Sequence, residues 1–362
     1  MELKKTPFYD RILKAGGRMV PFAGYHMPIE FTGIVDEHLA VRSGAGIFDV
    51  SHMGEISVSG EGAADYVNRL TTNDVAALDL MQVQYTAMLN DSGGVIDDLL
   101  VYRRKFDYLL VVNAVNVERD FAWISEHAPE GVTVRNLSDE TAQLAIQGPA
   151  AVEMIAAICD DDVAGLGSFR SMGATIGGVP CLVSRTGYTG EDGLEIYAGT
   201  DHAVALWDTI MNAGRKPAPI GLGARDSLRL EAALRLHGSD MDETTTPLEA
   251  GLGWIVKMDK GDFFGREVLE RQKAEGLKKR LIGLKSDARR FPRPGYAVWA
   301  AGREVGRVAS GGFSPSLKCG IALAYVEAGL ARKSTEFQID IRGNRIDADY
   351  VKGPFYKRPQ PE

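Results

Sequence analysis

Cysteine is scarce: the 362 residues hold three, Cys159, Cys181 and Cys319. They are scattered and odd in number. No CxxC or Cys/His cluster appears, so neither a disulfide framework nor a zinc site is supported. Cys159 follows the apolar run Ile155-Ala156-Ala157-Ile158 and reads as core, and a reducing, cytoplasmic setting fits. Long apolar runs are missing too. None approaches the roughly 18 residues a membrane span needs, and the opening Met1-Glu2-Leu3-Lys4-Lys5-Thr6-Pro7 is polar, resembling neither a signal peptide nor an Arg-rich transit segment. Positive charge is not in excess: Lys+Arg number 41 against 49 Asp+Glu, a formal net charge of −8. That argues against nucleic-acid binding, which needs clustered cations. The basic runs Lys278-Lys279-Arg280 and Arg289-Arg290 are short and read as surface. There is no internal repeat, no strand-GxGxxG-helix unit, no GxxxxGK[ST] loop, no GxSxG elbow and no EF-hand spacing.

What remains is a globular composition, 45% hydrophobic and 25% charged, on a chain long enough for two or three domains. Thr6-Pro7, then Phe8, Ile12 and Leu13, then Gly16-Gly17 predict a short capped helix. Residues 45–60 alternate like a strand or strand pair, and 61–70 read as a helix. Residues 82–89 and 95–102 predict strands around Asp91-Ser92-Gly93-Gly94, a plausible hairpin. A strand at 108–112, helices at 115–127 and from Gly148-Pro149 toward Cys159, strands at 181–184 and 194–197, and a helix at 202–211 follow. The clearest helix is predicted at 224–236. Beyond about 280 the texture changes to short strands with Gly and Pro turns, a separate all-β domain. Strands and helices without regular alternation favour an α+β class.

Four segments mix glycine, aromatic and charged residues. In Gly93-Gly94-Val95-Ile96-Asp97-Asp98-Leu99-Leu100-Val101-Tyr102, two adjacent carboxylates sit on a predicted strand. Neighbouring strand residues face opposite ways, so one Asp should face solvent or the turn and the other inward. An inward carboxylate must be hydrogen-bonded, paired or working; tying down a turn is the structural alternative. Phe48-Asp49-Val50-Ser51-His52-Met53-Gly54 offers His52 and Met53, whose thioether suits a flat ring. Equally, Ser51 and Asp49 could cap backbone while Met53 fills core. In Gly187-Tyr188-Thr189-Gly190-Glu191-Asp192-Gly193-Leu194-Glu195, Glu191 and Asp192 read as solvated, whereas Glu195 falls in an apolar strand and needs donors. Gly221-Leu222-Gly223-Ala224-Arg225-Asp226-Ser227 opens a helix, with Asp226 favourable in its first turn. Arg225 either pairs with Asp226 or Glu231 on the surface or holds a ligand carbonyl or carboxylate. His237 and Asp240-Met241-Asp242-Glu243 read as a surface loop.

Taken in order, these segments resemble the T-protein family of the glycine cleavage system, the tetrahydrofolate-dependent aminomethyltransferases. Further matching pieces are Arg18-Met19-Val20-Pro21-Phe22-Ala23-Gly24-Tyr25, Ala145-Ile146-Gln147-Gly148-Pro149 and Ser310-Gly311-Gly312-Phe313-Ser314-Pro315-Ser316. The likeness runs from near residue 6 to near residue 357. It implies three domains in a clover leaf around a central folate-binding channel: 1–55 plus 140–247, 56–139 plus 248–277, and a β-rich, barrel-like 278–362. It implies that tetrahydrofolate, as cosubstrate, takes the methylene of an aminomethyl group carried on lipoyl H-protein. Ammonia, 5,10-methylene-tetrahydrofolate and dihydrolipoyl H-protein result, with no metal, nucleotide, nucleic acid or membrane involved. By this resemblance Asp98 is the catalytic carboxylate and Asp97 a turn or structural partner. Met53, Tyr85, Asp98, Tyr102, Val111, Asn113, Tyr188, Glu195 and Arg225 line the folate site, and Arg293 lies near the channel mouth. Glu195 and Arg225 would read the pterin edge. The tail Phe355-Tyr356-Lys357 would close the site.

Relatives on the same fold frame the alternatives. A folate-binding protein of iron–sulfur maintenance would carry Lys-Gly-Cys-x-x-Gly-Gln-Glu where this chain reads Lys260-Gly261-Asp262-Phe263-Phe264-Gly265-Arg266-Glu267, without the cysteine. A flavin-linked sarcosine-type oxidase would need a dinucleotide domain. A tetrahydrofolate-dependent demethylase of a small methylated substrate would share the pterin site and differ where the donor enters. A pure scaffold would have no use for an inward carboxylate pair.

Overall fold

The structure, a computed structural model, describes residues 3–286 and 291–358, so Arg289-Arg290 and the first two residues of the polar N-terminal segment lie outside the described residues. In chain order the elements are α1 (Tyr9–Lys14), β1 (Arg18–Phe22), β2 (Tyr25–Glu30), α2 (Ile34–Ser43), β3 (Gly46–Asp49), β4 (Gly54–Gly60), α3 (Ala63–Leu70), β5 (Val83–Leu89), β6 (Val95–Arg103), β7 (Asp107–Val112), α4 (Val117–Glu126), β8 (Val132–Asn136), β9 (Thr141–Gln147) and α5 (Ala151–Ala156). There follow β10 (Ser171–Ile176), β11 (Val179–Ser184), β12 (Gly193–Gly199), α6 (Ala203–Asn212), β13 (Ala218–Pro219), α7 (Leu222–Glu231), α8 (Arg266–Glu275), β14 (Lys279–Ser286), β15 (Ala297–Ala300), β16 (Arg303–Ser314), β17 (Cys319–Glu327), β18 (Phe337–Ile341) and β19 (Asn344–Val351). The chain divides into two units, Met1–Thr86 with Asp98–Arg225, and Ala87–Asp97 with Asp226–Glu362. No helix among the described residues is long and apolar enough to cross a membrane.

The first unit is organised by two sheets. One runs β10-β11-β12-β9-β3-β13, and the other runs β5-β6-β7-β4-β8. Residues 45–60 do form two strands, but β3 and β4 belong to different sheets. In the six-stranded sheet the period of two is strict. Ala142, Leu144 and Ile146 of β9 and Leu194, Ile196 and Ala198 of β12 enter one apolar core with Met154 and Ile155 of α5 and Leu206, Trp207 and Ile210 of α6. Each such buried aliphatic side chain stabilises the fold by about 1.5–3 kcal/mol. The alternate residues Gln143, Glu195 and Tyr197 therefore point away from that core. This alternation aims the site.

The second unit carries a closed barrel, β14-β17-β16-β15-β18-β19, as the texture beyond 280 predicts. Leu284, Val298, Ala324, Val326, Phe337 and Ile339 fill one cluster, while Ile321 and Leu323 of β17 pack on their other side with Leu230 of α7.

Several local expectations are corrected. Thr6 does not cap α1 through its side chain, because its hydroxyl donates to Asp49 Oδ2 at 2.6 Å. Helix α7 ends at Glu231, short of Leu234 and Leu236. Ala233 takes φ +54°, Leu234 N–H donates to Arg229 O and Ala233 N–H to Leu230 O, a Schellman closure without glycine. Asp226 lies past the first turn of α7 and accepts from Arg229 Nε at 2.8 Å. The loop predicted at the surface is so only in part: Asp242 and Glu243 are exposed, but Asp240 is fully buried, accepting from Arg229 Nη1 at 2.6 Å, and Met241 is buried beside it in sequence. Glu191 and Asp192 are not simply solvated either. Arg42 pairs with Glu191 at 2.9 Å and Arg185 with Asp192 at 2.6 Å. In each case an arginine outside the segment supplies the partner, 149 residues away for Glu191 but 7 for Asp192 and 11 for Asp240.

Candidate active site

The site grows from the faces of the two sheets that the alternation leaves for polar and aromatic side chains. In the five-stranded sheet, Leu100 pairs with Val111 and Tyr102 with Leu109, while Glu55 pairs with Val111 across the next strand. Asp98, Leu100, Tyr102, Leu109, Val111 and Glu55 thus share one face. From the other sheet, Tyr197 and Leu182 join Val83, Tyr102, Leu109, Val111, Leu100 and Met53 in a single cluster.

Asp98 stands at the edge of this face and is half-buried. Tyr85 donates its phenol hydrogen to Asp98 Oδ2 at 2.8 Å. Asn113 Nδ2 donates to Oδ1 and to the backbone carbonyl of Asp98, each at 3.0 Å. Both carboxyl oxygens are thereby fixed while the group keeps an open side. Its neighbour Asp97, on the opposite face of β6, is the fully enclosed acid. The parity expectation is met, with a difference: the acid suited to meeting a ligand is the half-open one.

The second wall centres on Glu195. Thr186 Oγ1 donates to Glu195 Oε2 at 2.5 Å and Gln143 Nε2 lies 3.4 Å from Oε1. Gln143 Nε2 also donates to the Tyr197 hydroxyl at 3.0 Å, which lies 2.8 Å from the Tyr102 hydroxyl. Tyr102 in turn meets Ser184 Oγ at 3.0 Å, and Ser184 meets Thr186 at 2.5 Å. The six side chains close a ring. With Glu195 ionised every hydroxyl direction follows: Gln143 to Tyr197 to Tyr102 to Ser184 to Thr186 to Glu195. Such chains reinforce one another in a low dielectric. Burial raises the Glu195 carboxyl above its ordinary value, opposed by the Thr186 hydrogen bond and by the charge of Arg225. Burial lowers the Arg225 guanidinium, opposed by Tyr188 and Glu195.

Arg225 stacks over Tyr188, its Cζ 4.8 Å from the ring centroid. The loop that carries Tyr188 and the turn that leads into α7, which carries Arg225, are tightly packed. A Cβ on Gly221 would meet the Ile29 backbone at 2.4 Å, and one on Gly187 would meet Gln147 Oε1 at 1.8 Å. Glycine is thus needed at both positions for close approach. His52 is buried between Phe22, at 5.6 Å ring to ring, and Tyr25, at 6.5 Å. Burial, and secondarily Arg225, pull His52 down to about 3. The alternative reading of its neighbours also holds, since Asp49 Oδ1 accepts from the Ser51 N–H at 3.0 Å.

The predicted residues therefore fall in three groups within the first unit: Tyr85, Asp98 and Asn113; Met53, Tyr102 and Val111; Tyr188, Glu195 and Arg225. Arg293 belongs to the second unit, exposed, with its guanidinium over Phe291 at 5.6 Å. Sequence reasoning missed Gln143, Ser184, Thr186 and Tyr197, and it missed Glu55. The signal that found Glu195, a charged residue inside an apolar strand, is equally present at Glu55 in Gly54-Glu55-Ile56-Ser57-Val58.

An α+β unit with a half-open, doubly anchored carboxylate and a buried glutamate in electrostatic range of an arginine beside aromatic rings, followed by a barrel, suits a small-molecule transferase. Residues 8–260 match the GCVT N-terminal domain and residues 279–357 match the glycine cleavage T-protein C-terminal barrel domain. The chain is similar to the aminomethyltransferase of Geobacillus kaustophilus, 49% identical over 361 residues, covering 98% of this chain and 99% of that one. The Moorella thermoacetica aminomethyltransferase is 48% identical over 363 residues, covering 99% of each. The crystal structure of glycine cleavage system aminomethyltransferase T from Bartonella henselae superimposes with a TM-score of 0.92 at 34% identity, covering 99% of each chain. The chain belongs to the glycine cleavage T-protein family, and its enzyme class is aminomethyl transfer.

Proposed function

We propose that this chain transfers the methylene carbon of an aminomethyl group, carried on the lipoyl arm of H-protein, to tetrahydrofolate in the cytoplasm. The carbon leaves nitrogen and sulfur for the two folate nitrogens; the two protons released there go to ammonia and to the dihydrolipoyl thiol. The observation that carries this reading is Asp98, held at both oxygens by Tyr85 and Asn113 yet open on one side.

The residues suit a reduced pterin. A carboxylate and a guanidinium in mutual range, Glu195 and Arg225, match a ring edge that both donates and accepts. Met53, Val111 and the aromatic rings offer apolar surface. Buried polar atoms on this side of the unit, His52 Nδ1, Gln143 Oε1 and both oxygens of Glu55, have no hydrogen-bond partner among the described residues. When bound, tetrahydrofolate supplies the two nitrogens that accept the carbon, N5 of the reduced pterin ring and N10 beside it. Asp98 orients the attacking nitrogen and stabilises positive charge as it develops. Tyr102 works from behind, as a member of the ring that holds Glu195. Arg293, in the second unit, is assigned a role toward the carrier protein. A demethylase is not favoured, because the relatives matched along the whole chain carry the aminomethyltransferase name.

The test is incubation with aminomethyl-loaded lipoyl H-protein and tetrahydrofolate. Release of ammonia dependent on both supports the proposal; ammonia release indifferent to tetrahydrofolate overturns it.

A further inference from the structure

Glu55 is the one acid of this face that the account so far leaves without work. It lies in β4, opposite Val111. Its backbone is engaged: the N–H donates to Ser138 Oγ at 3.0 Å and the carbonyl accepts from Leu137 N–H at 2.8 Å. Its side chain is not. The residue is 1% exposed, and neither carboxyl oxygen has a hydrogen-bond partner among the described residues. A carboxyl that tied down the fold would be surrounded by donors, as buried polar groups generally are.

Position gives the group a purpose. Glu55, Val111 and Leu100 form one row across β4, β7 and β6, and Asp98 lies two residues along β6 from Leu100. With neighbouring strands about 4.8 Å apart and about 3.4 Å per residue along them, Glu55 and Asp98 face the same space with their backbones about 12 Å apart, and Val111 and Leu100 form an apolar floor between them. That is the scale of a fused two-ring heterocycle lying on the sheet with polar groups at its ends.

We propose that Glu55 is a specificity-determining residue of the pterin site, a carboxylic acid that pairs with the amide edge of the ring beside Glu195. This rests on the tetrahydrofolate reading above. Burial, with the charge of Glu195 added, pushes the Glu55 carboxyl well above its ordinary value. In its protonated form a carboxyl offers one O–H donor and one C=O acceptor, the complement of a ring –CO–NH– unit, and a second carboxyl beside it accepts from further N–H donors. Two acids close together avoid mutual repulsion when one proton is held between them, and so can read one edge.

The test uses the full chain, the wild type with Glu55→Leu and Glu55→Gln, and two readouts: thermal midpoint without ligand, and dissociation constants for 6-methyltetrahydropterin (the ring alone) and tetrahydrofolate. Glu55→Leu removes a buried, unpartnered acid, so its midpoint is expected to equal or exceed that of the wild type. Both dissociation constants are expected to rise about tenfold or more, and Glu55→Gln, which keeps a donor and an acceptor, is expected to lose less. A lowered midpoint with unchanged ring affinity overturns the proposal and makes Glu55 structural; so does equal loss in Glu55→Leu and Glu55→Gln. Failure of the wild type to bind either compound strikes the tetrahydrofolate reading instead.

Discussion

Glu37 and Glu55 are equally buried, each 1% exposed, and both belong to the first unit. Their surroundings could hardly differ more. Glu37 Oε1 accepts from the N–H groups of Phe31, Thr32 and Gly33 at 2.6, 3.0 and 3.1 Å, and Oε2 accepts from Gly221 N–H at 2.7 Å. It satisfies donors at the start of α2, where the helix dipole also favours negative charge, and it ties the Gly221 loop that leads to Arg225. Glu55 accepts nothing through its side chain. Burial is therefore no measure of what an acid does. The count of donors around it separates the acid that builds the fold from the acid that awaits a ligand.

This comparison can be broken by treating both positions alike. Glu37→Leu leaves four N–H donors without their acceptor and is expected to cost about 3 kcal/mol or more of stability, measured by urea unfolding. A Glu37→Leu protein as stable as the wild type would remove the distinction. On the site face, Asp98→Asn keeps size and one acceptor but removes the charge. It is expected to lower turnover about 10²-fold or more while a calorimetric titration still registers tetrahydrofolate binding; turnover near that of the wild type would reject Asp98 as the key group. Arg225→Ala is expected to weaken tetrahydrofolate by about tenfold, one charge-assisted contact, and to change saturated turnover less. An unchanged dissociation constant would count against its role at the ring.

A separate prediction concerns pH. His52 titrates near 3 in the folded protein against 6.5 ordinarily. Between those values the unfolded chain binds the extra proton, so stability falls as pH is lowered through that window, by up to about 1.4 kcal/mol per pH unit. His52→Gln is expected to flatten the urea midpoint against pH between 6.5 and 3 relative to the wild type. Parallel curves would show that His52 is not the sensitive group.

Much of this was legible before the structure. Leu194-Glu195-Ile196 announces a carboxylate turned from a core, and the Asp97-Asp98 pair must split across two faces, because strand geometry is local. What stayed illegible depends on partners outside the segment. Glu191 reads as solvated until Arg42 arrives; Asp240 reads as loop surface until Arg229 arrives. The end of α7 is hidden because Ala233 takes a left-handed conformation that its side chain does not advertise. Glu55 and Ser57 alternate with Ile56 and Val58 as a solvent-facing pattern would, a reading that masks at Glu55 the signal that Glu195 gives; both are buried in the fold. The ring from Gln143 to Glu195 joins four strands and a loop, a closure no single segment encodes.

The central claim is that the two walls, one bearing Asp98 and Glu55 and the other bearing Glu195, hold a reduced pterin. A crystal structure with tetrahydrofolate bound tests it most directly. The account predicts ring nitrogens within hydrogen-bond reach of Asp98 and Glu195, with the bicyclic ring lying on Val111 and Leu100. A ring bound elsewhere, with those walls untouched, would contradict it.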